Sequence, residues 1–241
     1  MSLFDLIKKN SAAPKCSAVI VAAGSSVRMG FDKLKAPLGS VPVLLRTLRA
    51  FERSESVNEI VVVTRMDSVP EIAELCAKNG VTKVTKVVAG GKTRMESSLI
   101  GVSSVKPGAK LIAIHDAARP LVSEALIKRT VSAAAQYMAA VPVVPSTDTL
   151  KIIGQDDRVV GTVDRETTYR VQTPQVFDAV LIKGALTKAS DKGMMLSDDS
   201  AAMDMTGFKS YAVAGEEDNI KITTPRDLMI AEAILKNRGE L

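Results

Sequence analysis

Tryptophan is absent from this sequence, and aromatic residues make up only 3% of its 241 residues. Proteins that hold single-stranded nucleic acids stack bases on aromatic side chains, and this chain has few to offer. The net charge is +5, yet the Lys and Arg residues are interspersed with acidic residues rather than gathered into a basic arm. A phosphorylated small molecule accounts for that surplus as well as a nucleic acid does. We therefore expect no nucleic-acid partner.

Cysteine is scarce, and long hydrophobic runs are missing. Cys16 and Cys76 are the only cysteines, which leaves no disulfide framework and no cysteine cluster for a metal. No segment reaches the roughly 18 consecutive apolar residues of a membrane helix, and Met1–Lys15 carries charges without the apolar stretch of a signal peptide. These absences predict a cytoplasmic protein with no membrane partner.

Histidine occurs once, at His115, directly before Asp116. A histidine followed by an acid could suggest the base of a nucleophilic triad, but the sequence has no G-x-S-x-G motif to supply the nucleophile. His115 also closes the apolar run Leu111–Ile114, which favours a buried structural imidazole over a catalytic one.

What is abundant is aliphatic: hydrophobic residues make up 46% of the chain, and short β-branched runs alternate with helical periodicity. This alternation predicts one α/β domain over residues 1–241, with a doubly wound, mostly parallel sheet. The predicted strands are Ala18–Ala22, Glu59–Thr64, Lys83–Val88, Lys110–His115, Ala140–Val144 and Ser210–Ala214. The predicted helices are Val43–Arg53, Val69–Asn79, Arg94–Val105, Ser123–Met138, Val180–Ser190, Asp199–Met205 and Pro225–Arg238.

Residues 146–165 depart from that alternation. Thr149–Ile153 and Arg158–Val163 read as two short strands around a polar turn. A two-stranded ribbon is barely stable alone in water, so this β-arm needs a surface to pack on. A second copy of the chain is the leading candidate, which predicts a homodimer; a hairpin folded over its own domain is the alternative.

Two loops rich in small residues follow predicted strands. Ala22, Ala23 and Gly24 end the first strand and precede Arg28, and Gly90-Gly91 precedes a helix that carries Ser97 in its first turn. Small residues leave backbone N–H groups open to a phosphate or a base. Neither loop matches G-x-x-x-x-G-K-[ST] or G-x-G-x-x-G, so each is a weak signal alone.

Several charged residues are candidates for phosphate chemistry. Asp116 stands at the carboxyl end of a predicted strand, where it could hold Mg²⁺ on nucleotide phosphates or simply cap the next helix. Lys221 lies among apolar neighbours in the sequence, so it is either a phosphate ligand or a lysine at the edge of the core that extends its ammonium group into water. Lys33 and Lys35 carry the same ambiguity.

In order along the chain, these motifs resemble those of the 2-C-methyl-D-erythritol 4-phosphate cytidylyltransferase family. The resemblance extends over about Ser17–Leu235, and the ordered set is specific although each motif alone is weak. The motifs are Ala22-Ala23-Gly24 with Arg28, Gly90-Gly91 with Arg94 and Ser97, Asp116-Ala117-Ala118-Arg119-Pro120, Asp148-Thr149, Val163-Asp164-Arg165, Gln172-Thr173-Pro174-Gln175 and Asp218-Asn219-Ile220-Lys221.

The resemblance implies a Rossmann-like nucleotidyltransferase fold and transfer of CMP from CTP to a methylerythritol phosphate, with Mg²⁺ as cofactor. It implies a nucleotide site of Ala22, Ala23, Gly24, Gly90, Arg94, Ser97 and Ala117. It implies catalytic roles for Arg28, Lys33, Lys221 and Asp116, with Asp116 also placing the metal. It implies an acceptor site of Arg119, Thr173, Ser197 and Lys221, completed by Thr149 and Arg165 from the partner's arm.

The sequence departs from the family at two points. The loop after Arg28 reads Asp32-Lys33-Leu34-Lys35 where relatives often have Lys-Gln, so Lys35 competes with Lys33 for the phosphate role. Ser197 stands where many relatives have Thr.

Other functions remain open from the sequence. The nearest is ribitol 5-phosphate cytidylyltransferase, which performs the same reaction on another polyol phosphate. A nicotinamide-dependent oxidoreductase would need G-x-G-x-x-G after the first strand, which is absent. A non-catalytic nucleotide-binding module would keep the glycine loops without needing the cations. Direct attack of the acceptor phosphate on CTP needs no covalent nucleophile, which suits a chain with no triad.

Overall fold

The computed structural model describes residues 14–24 and 30–241. Arg28, which the resemblance assigns to the triphosphate, lies outside the described residues. The strands are β1 (Cys16–Val21), β2 (Pro37–Leu38), β3 (Val41–Pro42), β4 (Val57–Thr64), β5 (Val84–Ala89), β6 (Leu111–Asp116), β7 (Ala139–Pro145), β8 (Lys151–Ile153), β9 (Val159–Thr162), β10 (Tyr169–Val171), β11 (Gln175–Asp178) and β12 (Tyr211–Ala214). The helices are α1 (Val43–Arg53), α2 (Val69–Lys78), α3 (Arg94–Ser104), α4 (Glu124–Tyr137), α5 (Ala179–Asp191), α6 (Ser200–Asp204) and α7 (Pro225–Asn237), with a 3₁₀ turn at Met66–Ser68.

The main sheet is mostly parallel. Its order is β12, β7, β11, β6, β1, β4, β5, and β10 pairs with β7 on the same edge as β11. Strands β1, β4, β5 and β6 are mutually parallel, whereas β10 and β11 run antiparallel to β7, and β11 also runs antiparallel to β6. The predicted fold class is confirmed.

Helices cover both faces of this sheet. Along β1, Ile20 belongs to the core shared with α1, α4 and α7, and Val19 belongs to the core shared with α3, α5 and α6. Successive side chains of a strand point to opposite faces, so one short run of Val and Ile supplies both cores. This double burial explains why the central strands are nearly all aliphatic.

The sequence analysis did not predict strands β10 and β11, the antiparallel strands of the main sheet. Residues 169–171 pair with 143–145, and residues 176–177 pair with 139–140, so β10 and β11 follow one another along β7. Gln172, Thr173 and Pro174 interrupt them, and Pro174 has no N–H to donate to a ladder. Because polar residues and a proline interrupt residues 169–178, pattern reading does not detect the two short strands.

Strands β8 and β9 form the predicted hairpin as a separate antiparallel pair. Neither strand buries its apolar side chains: Ile152 is 52% exposed and Val160 is 64% exposed.

Over the described residues, no helix is long and apolar enough to span a bilayer.

Gly101 of α3 tests how closely the helix layer approaches the sheet. A Cβ there would overlap Val19 Cγ1 and come within 2.8 Å of Val63 Cγ2. We expect Gly101→Ala to destabilise the fold by about 1–2 kcal/mol, because overpacking outweighs the roughly 1 kcal/mol helix preference of Ala. Urea unfolding measures the change.

Gly184→Ala in α5 is the matched control, because a Cβ at Gly184 meets nothing within 4 Å. It should leave stability unchanged or raise it by up to about 1 kcal/mol. Equal stabilisation by both substitutions would show that α3 does not press on the sheet as the structure has it.

Candidate functional site

A cleft of about 330 Å³ opens at the carboxyl ends of β1, β5 and β6. Ligands of open α/β sheets bind at this edge, where loops rather than side-chain layers close the surface. The cleft is lined by Val21, Ala22, Ala23, Gly24, Lys33, Leu34, Gly91, Lys92, Thr93, Arg94, Ser97, Asp116, Ala118 and Lys221.

Gly90 lies outside the cleft lining, between Ala23 and Ser97, which both line the cleft. Its N–H donates to Thr64 O at 2.7 Å, which ties it to the end of β4. A Cβ at Gly90 would lie 2.7 Å from Ser97 Oγ and 2.8 Å from the Cβ of Ala23. Only glycine fits between these two groups, so the small residues of the two loops pack directly against each other.

Ser97 is held by the first turn of α3. The Thr93 side chain caps the helix by accepting from Glu96 N at 3.1 Å. Ser97 Oγ donates to Thr93 O at 2.9 Å and accepts from Gly91 N at 3.2 Å. A hydroxyl has one proton and two lone pairs, so one accepting lone pair remains for a donor in the cleft.

The carboxylate of Asp116, the last residue of β6, lies close to three positively charged side chains. It lies 2.8 Å from Lys221 Nζ, 3.3 Å from Arg94 Nη2 and 3.8 Å from Arg119 Nε. Burial alone would raise the pKa of the Asp116 carboxyl, but Lys221 and Arg94 outweigh burial and hold the pKa well below its usual range. The site therefore carries a fixed negative charge surrounded by a surplus of positive charge.

Arg94 has a second acidic partner that the sequence analysis missed. Asp199 is 1% exposed, and its Oδ2 lies 2.8 Å from Arg94 Nη2. Burial would lower the pKa of Arg94, but Asp199 and Asp116 raise it instead. Asp199 fell in a predicted helix start, where an acid reads as a cap, so no local signal pointed to the site.

Lys221 and Arg119 are positioned by Asn219, which is fully buried. The Asn219 side chain donates to Thr173 O at 2.9 Å, and the backbone carbonyl of Asn219 accepts from Arg119 Nη1 at 2.7 Å. Ile222 N donates to Ala118 O at 2.8 Å. These bonds fix the segment that carries Lys221 against the segment that follows Asp116, a role that the motif alone did not reveal.

His115 and Thr173 lie behind Asp116. Thr173 Oγ1 accepts from Asp116 N at 3.1 Å and lies 3.0 Å from His115 Nδ1, while His115 Nε2 lies 3.1 Å from Arg119 O. His115 is fully buried, and burial lowers its pKa to about 3. The expectation of a buried imidazole is confirmed.

The remaining predicted residues divide into two groups. Of the two candidate lysines, Lys33 lines the cleft, whereas Lys35 pairs with Glu71 at 2.5 Å. Of the two alanines after Asp116, Ala118 lines the cleft, whereas Ala117 is buried. Thr149, Arg165 and Ser197 are exposed and lie outside the cleft lining of this single chain.

The donor set suits a metal ion carried on phosphates. Over residues 14–24 and 30–241, no group of three or more His, Cys, Asp or Glu side chains could hold an ion unaided. Asp116 is the one acidic side chain in the described cleft lining. Mg²⁺ commonly takes one or two carboxylates together with substrate phosphates and water, which this arrangement fits.

The chain matches known sequences over most of its length. The family model for 2-C-methyl-D-erythritol 4-phosphate cytidylyltransferase (IspD) matches residues 16–237. A protein of that name from Caldanaerobacter subterraneus subsp. tengcongensis is 41% identical over 227 residues, which cover 91% of this chain and 98% of the relative. Another, from Halalkalibacterium halodurans, is 40% identical over 224 residues, covering 92% and 97%.

Solved structures agree with this match. 4-Diphosphocytidyl-2C-methyl-D-erythritol synthase from Anaerococcus prevotii superposes with a TM-score of 0.82 at 34% identity, covering 93% of this chain and 97% of that one. 2-C-methyl-D-erythritol 4-phosphate cytidylyltransferase from Thermus thermophilus gives a TM-score of 0.76 at 32% identity, covering 92% and 99%.

Asp199→Asn tests the buried ion pair with Arg94. The substitution removes the closer of the two carboxylate charges beside the Arg94 guanidinium and leaves only that of Asp116, at 3.3 Å, so we expect a loss of about 3 kcal/mol in the free energy of unfolding. Urea denaturation with an unchanged m-value measures it.

Asp204→Asn is the matched control, because Asp204 pairs with Lys209 at 3.0 Å but both side chains are more than half exposed. Exposed pairs contribute less than about 1 kcal/mol. If the two variants lost equal stability, the Arg94–Asp199 pair would not be the buried contact that the structure shows.

Proposed function

Because the chain belongs to the 2-C-methyl-D-erythritol 4-phosphate cytidylyltransferase family, we propose that its cleft holds CTP with the triphosphate beside Asp116 and Lys221. The enzyme transfers CMP from CTP to 2-C-methyl-D-erythritol 4-phosphate and releases pyrophosphate, giving 4-diphosphocytidyl-2C-methyl-D-erythritol for isoprenoid biosynthesis. The observation that supports this placement is the cluster of three cations around the buried Asp116 carboxylate, next to a cleft floored by glycine and alanine.

The base belongs at the Gly90–Ser97 end of the cleft. The free lone pair on Ser97 Oγ can accept from the exocyclic amine of cytosine, where uracil has an acceptor carbonyl instead. Ala22, Ala23 and Gly24 line the same cleft and leave room for a flat ring against the backbone. The backbone N–H of Ala117 donates to Val21 O at 3.0 Å, which holds the end of β6 against the end of β1, beside the proposed position of the ribose.

The chemistry needs positioned charge rather than a nucleophilic side chain. An oxygen of the acceptor's phosphate attacks the α-phosphorus of CTP, forming a new P–O bond as the bond to pyrophosphate breaks in line. Lys221, Lys33 and, outside the described residues, Arg28 neutralise the charge that builds on the transferring phosphoryl group. The acceptor phosphate is already ionised at neutral pH, so no general base is required.

Mg²⁺ is the proposed cofactor, and when bound with CTP it neutralises phosphate charge and orients the triphosphate. Asp116 would hold it. Arg94 keeps that carboxylate in place and ionised, because the ion pair with Asp199 anchors the guanidinium from behind.

The acceptor site is proposed to form between two subunits. Arg119 lies beside Asp116, but Thr149, Arg165 and Ser197 do not reach the cleft of their own chain. The arm formed by residues 146–165 exposes Ile152, Ile153, Val159 and Val160, each by more than half of its surface. Burying such side chains against a second copy favours a homodimer in which each arm delivers Thr149 and Arg165 to its partner's cleft.

We propose that the protein works in the cytoplasm, because its two cysteines are buried and do not form a disulfide. Burial raises the pKa of the Cys16 thiol to about 12 and that of Cys76 to about 11, so both stay protonated and unreactive.

Nucleotide selectivity tests the proposed function. We expect CTP-dependent pyrophosphate release with the methylerythritol phosphate, and at least a tenfold lower kcat/KM with UTP. A buried group left unpaired costs about 1–3 kcal/mol, and 1.4 kcal/mol corresponds to tenfold.

Ribitol 5-phosphate, ATP and GTP serve as the other arms of that assay. Equal turnover of CTP and UTP would remove base reading from Ser97. Preference for ribitol 5-phosphate would show that the acceptor has been misidentified.

The shared site predicts that two inactive variants rescue each other. Arg165→Met spoils a chain's arm, and Lys33→Ala spoils its own cleft. In a heterodimer the Arg165→Met chain keeps a sound cleft and receives a sound arm, so one site of two is whole. Random mixing makes about half of the dimers heterodimers, which gives roughly a quarter of wild-type activity under two-fold symmetry. Pyrophosphate release after joint refolding measures it.

Arg158→Met is the control for loss of an arm cation, since Arg158 pairs with Asp156 at the hairpin turn and is largely exposed. It should keep near-normal activity. If heterodimers form and activity stays at the level of the separate variants, Arg165 acts within its own chain.

A further inference from the structure

The turn that carries Lys33 stands between two cavities. Lys33 and Leu34 line the cleft described above. On the other side of the turn lies a cavity of about 340 Å³, lined by Asp32, Leu34 and Lys35 and by side chains of residues 64–78. Open space on both sides leaves fewer packing contacts than a core segment has, so the position of the turn depends on its polar contacts.

Backbone hydrogen bonds fix the second half of this turn. The carbonyls of Leu34 and Ala36 accept from the first two backbone N–H groups of α1, at 3.0 Å each. Lys33 comes before both of these carbonyls in the chain. The place of its side chain therefore also depends on the contacts of the preceding residue, Asp32.

The Asp32 carboxylate joins the first half of the turn to the main sheet. Within the turn, Asp32 Oδ1 accepts from Leu34 N at 3.1 Å. The backbone oxygen of Asp32 accepts from Lys35 N and Ala36 N, at 3.1 and 3.2 Å. Asp32 Oδ2 accepts from Arg65 Nη2 at 2.9 Å. An aspartate that bonds the backbone two residues on stabilises a tight turn, and here its second oxygen ties that turn to the end of β4.

Arg65 is a fixed partner for this carboxylate. It directly follows β4, a strand in the middle of the main sheet. Its guanidinium also donates to Ser68 Oγ at 3.3 Å and lies 3.5 Å from Asp67 Oδ1, so it is held on its own side of the cavity. A guanidinium with several partners loses less freedom when it binds one more, which strengthens the pair with Asp32.

A second ion pair ties the same turn more weakly. The side chains of Asp32 and Arg65 are 23% and 36% exposed, whereas those of Lys35 and Glu71 are both about half exposed. Water and salt screen an exposed pair more than a shielded one, and exposed pairs contribute little. The pair of Asp32 with Arg65 is therefore the stronger of these two ties.

We infer that Arg65 is a positioning residue that acts through Asp32 to hold Lys33 in the cleft. Arg65 is not among the residues of the described cleft lining, so it acts on the substrate through the turn rather than by contact. The kinetic part of this inference rests on the proposed function, in which Lys33 neutralises charge on the transferring phosphoryl group. The hold of Arg65 on the turn does not rest on it.

Amide hydrogen exchange tests that hold without any substrate. Arg65→Gln removes the charge that binds Asp32 Oδ2. We expect the amides of Leu34, Lys35 and Ala36, which donate to Asp32, to exchange about fivefold faster than in the wild-type protein. Unchanged exchange at these three amides would overturn the inference.

Lys78→Gln is the matched control for the loss of a positive charge. Lys78 borders the same cavity as Arg65 and pairs with Glu74 at 2.6 Å, but this pair does not involve the turn. Exchange at the turn should stay within about 1.5-fold of the wild-type rates. If Lys78→Gln accelerated exchange as much as Arg65→Gln, the loss of charge and not the loss of the Asp32 pair would be the cause, and the inference would fail.

Kinetics of both partners separate positioning from long-range attraction of CTP. Arg65→Gln removes a positive charge, and Asp32→Asn removes a negative one but keeps an oxygen for Leu34 N. Positioning predicts that each substitution lowers kcat/KM for CTP about fivefold and that the double variant loses no more than either single variant. Long-range attraction predicts opposite effects, because CTP is an anion. Opposite signs, or losses that multiply in the double variant, would overturn the inference.

Arg65→Lys is the conservative variant. It keeps a positive charge within reach of Asp32, so kcat/KM for CTP should stay within about twofold of the wild-type value. A loss as large as that of Arg65→Gln would contradict an effect exerted through the ion pair.

Failure of the proposed function gives a different result. If the wild-type enzyme releases no pyrophosphate from CTP and the methylerythritol phosphate, the proposed function fails, and the exchange rates still decide whether Arg65 holds the turn. If exchange accelerates in Arg65→Gln while kcat/KM keeps its wild-type value, the place of the turn does not matter for turnover, and the positioning role is overturned.

Discussion

The buried negative charge of Asp116 is the constraint on which the rest of the site depends. A carboxylate that is 7% exposed cannot stay ionised without close counter-charges, because removal from water costs several kcal/mol. The counter-charges come from three separate segments: Arg94 opens α3, Arg119 follows β6, and Lys221 precedes α7. Pairing one carboxylate with all three brings the glycine loop, the end of β6 and the C-terminal segment to one point of the sheet edge.

The same pairing gives the cleft the positive charge that the proposed triphosphate site needs. With Lys33 included, the cations around Asp116 exceed the carboxylate charge, and the surplus faces the cleft. Asp199 balances Arg94 from the buried side, so that guanidinium is anchored by two carboxylates. Lys221 is different: its stem is flexible, it is more than one-third exposed, and it can turn from Asp116 to an arriving phosphate without unfolding its surroundings. The anchored Arg94 and the movable Lys221 therefore suit the two tasks that the proposed reaction requires, alignment and charge neutralisation.

Much of the fold was predictable, because the signal that forms it is local. Strands such as β1 and β4 are continuous aliphatic runs, and helices such as α4 carry their caps in the sequence, with Ser123 accepting from Leu126 N. Strands β10 and β11 were missed because Pro174 and polar residues interrupt the segment and because its partner strand, β7, lies more than 20 residues earlier in the sequence. Asp199 was also missed because its partner is distant in sequence. It forms an ion pair with Arg94, which lies on another helix, and no spacing rule connects the two residues.

Thr173 shows a further limit of motifs, which identify residues but not the direction of their hydrogen bonds. The stretch Gln172–Gln175 marks Thr173 as part of the site, and the structure places it there. Its hydroxyl oxygen accepts from Asp116 N at 3.1 Å and lies 3.0 Å from His115 Nδ1, and both partners lie on a distant strand that the motif does not show. Ser97 can be treated in the same way, because its proton is donated to Thr93 O, one lone pair accepts from Gly91 N, and one lone pair remains for a donor in the cleft. In both cases the bonds already made inside the protein decide what is left for the ligand.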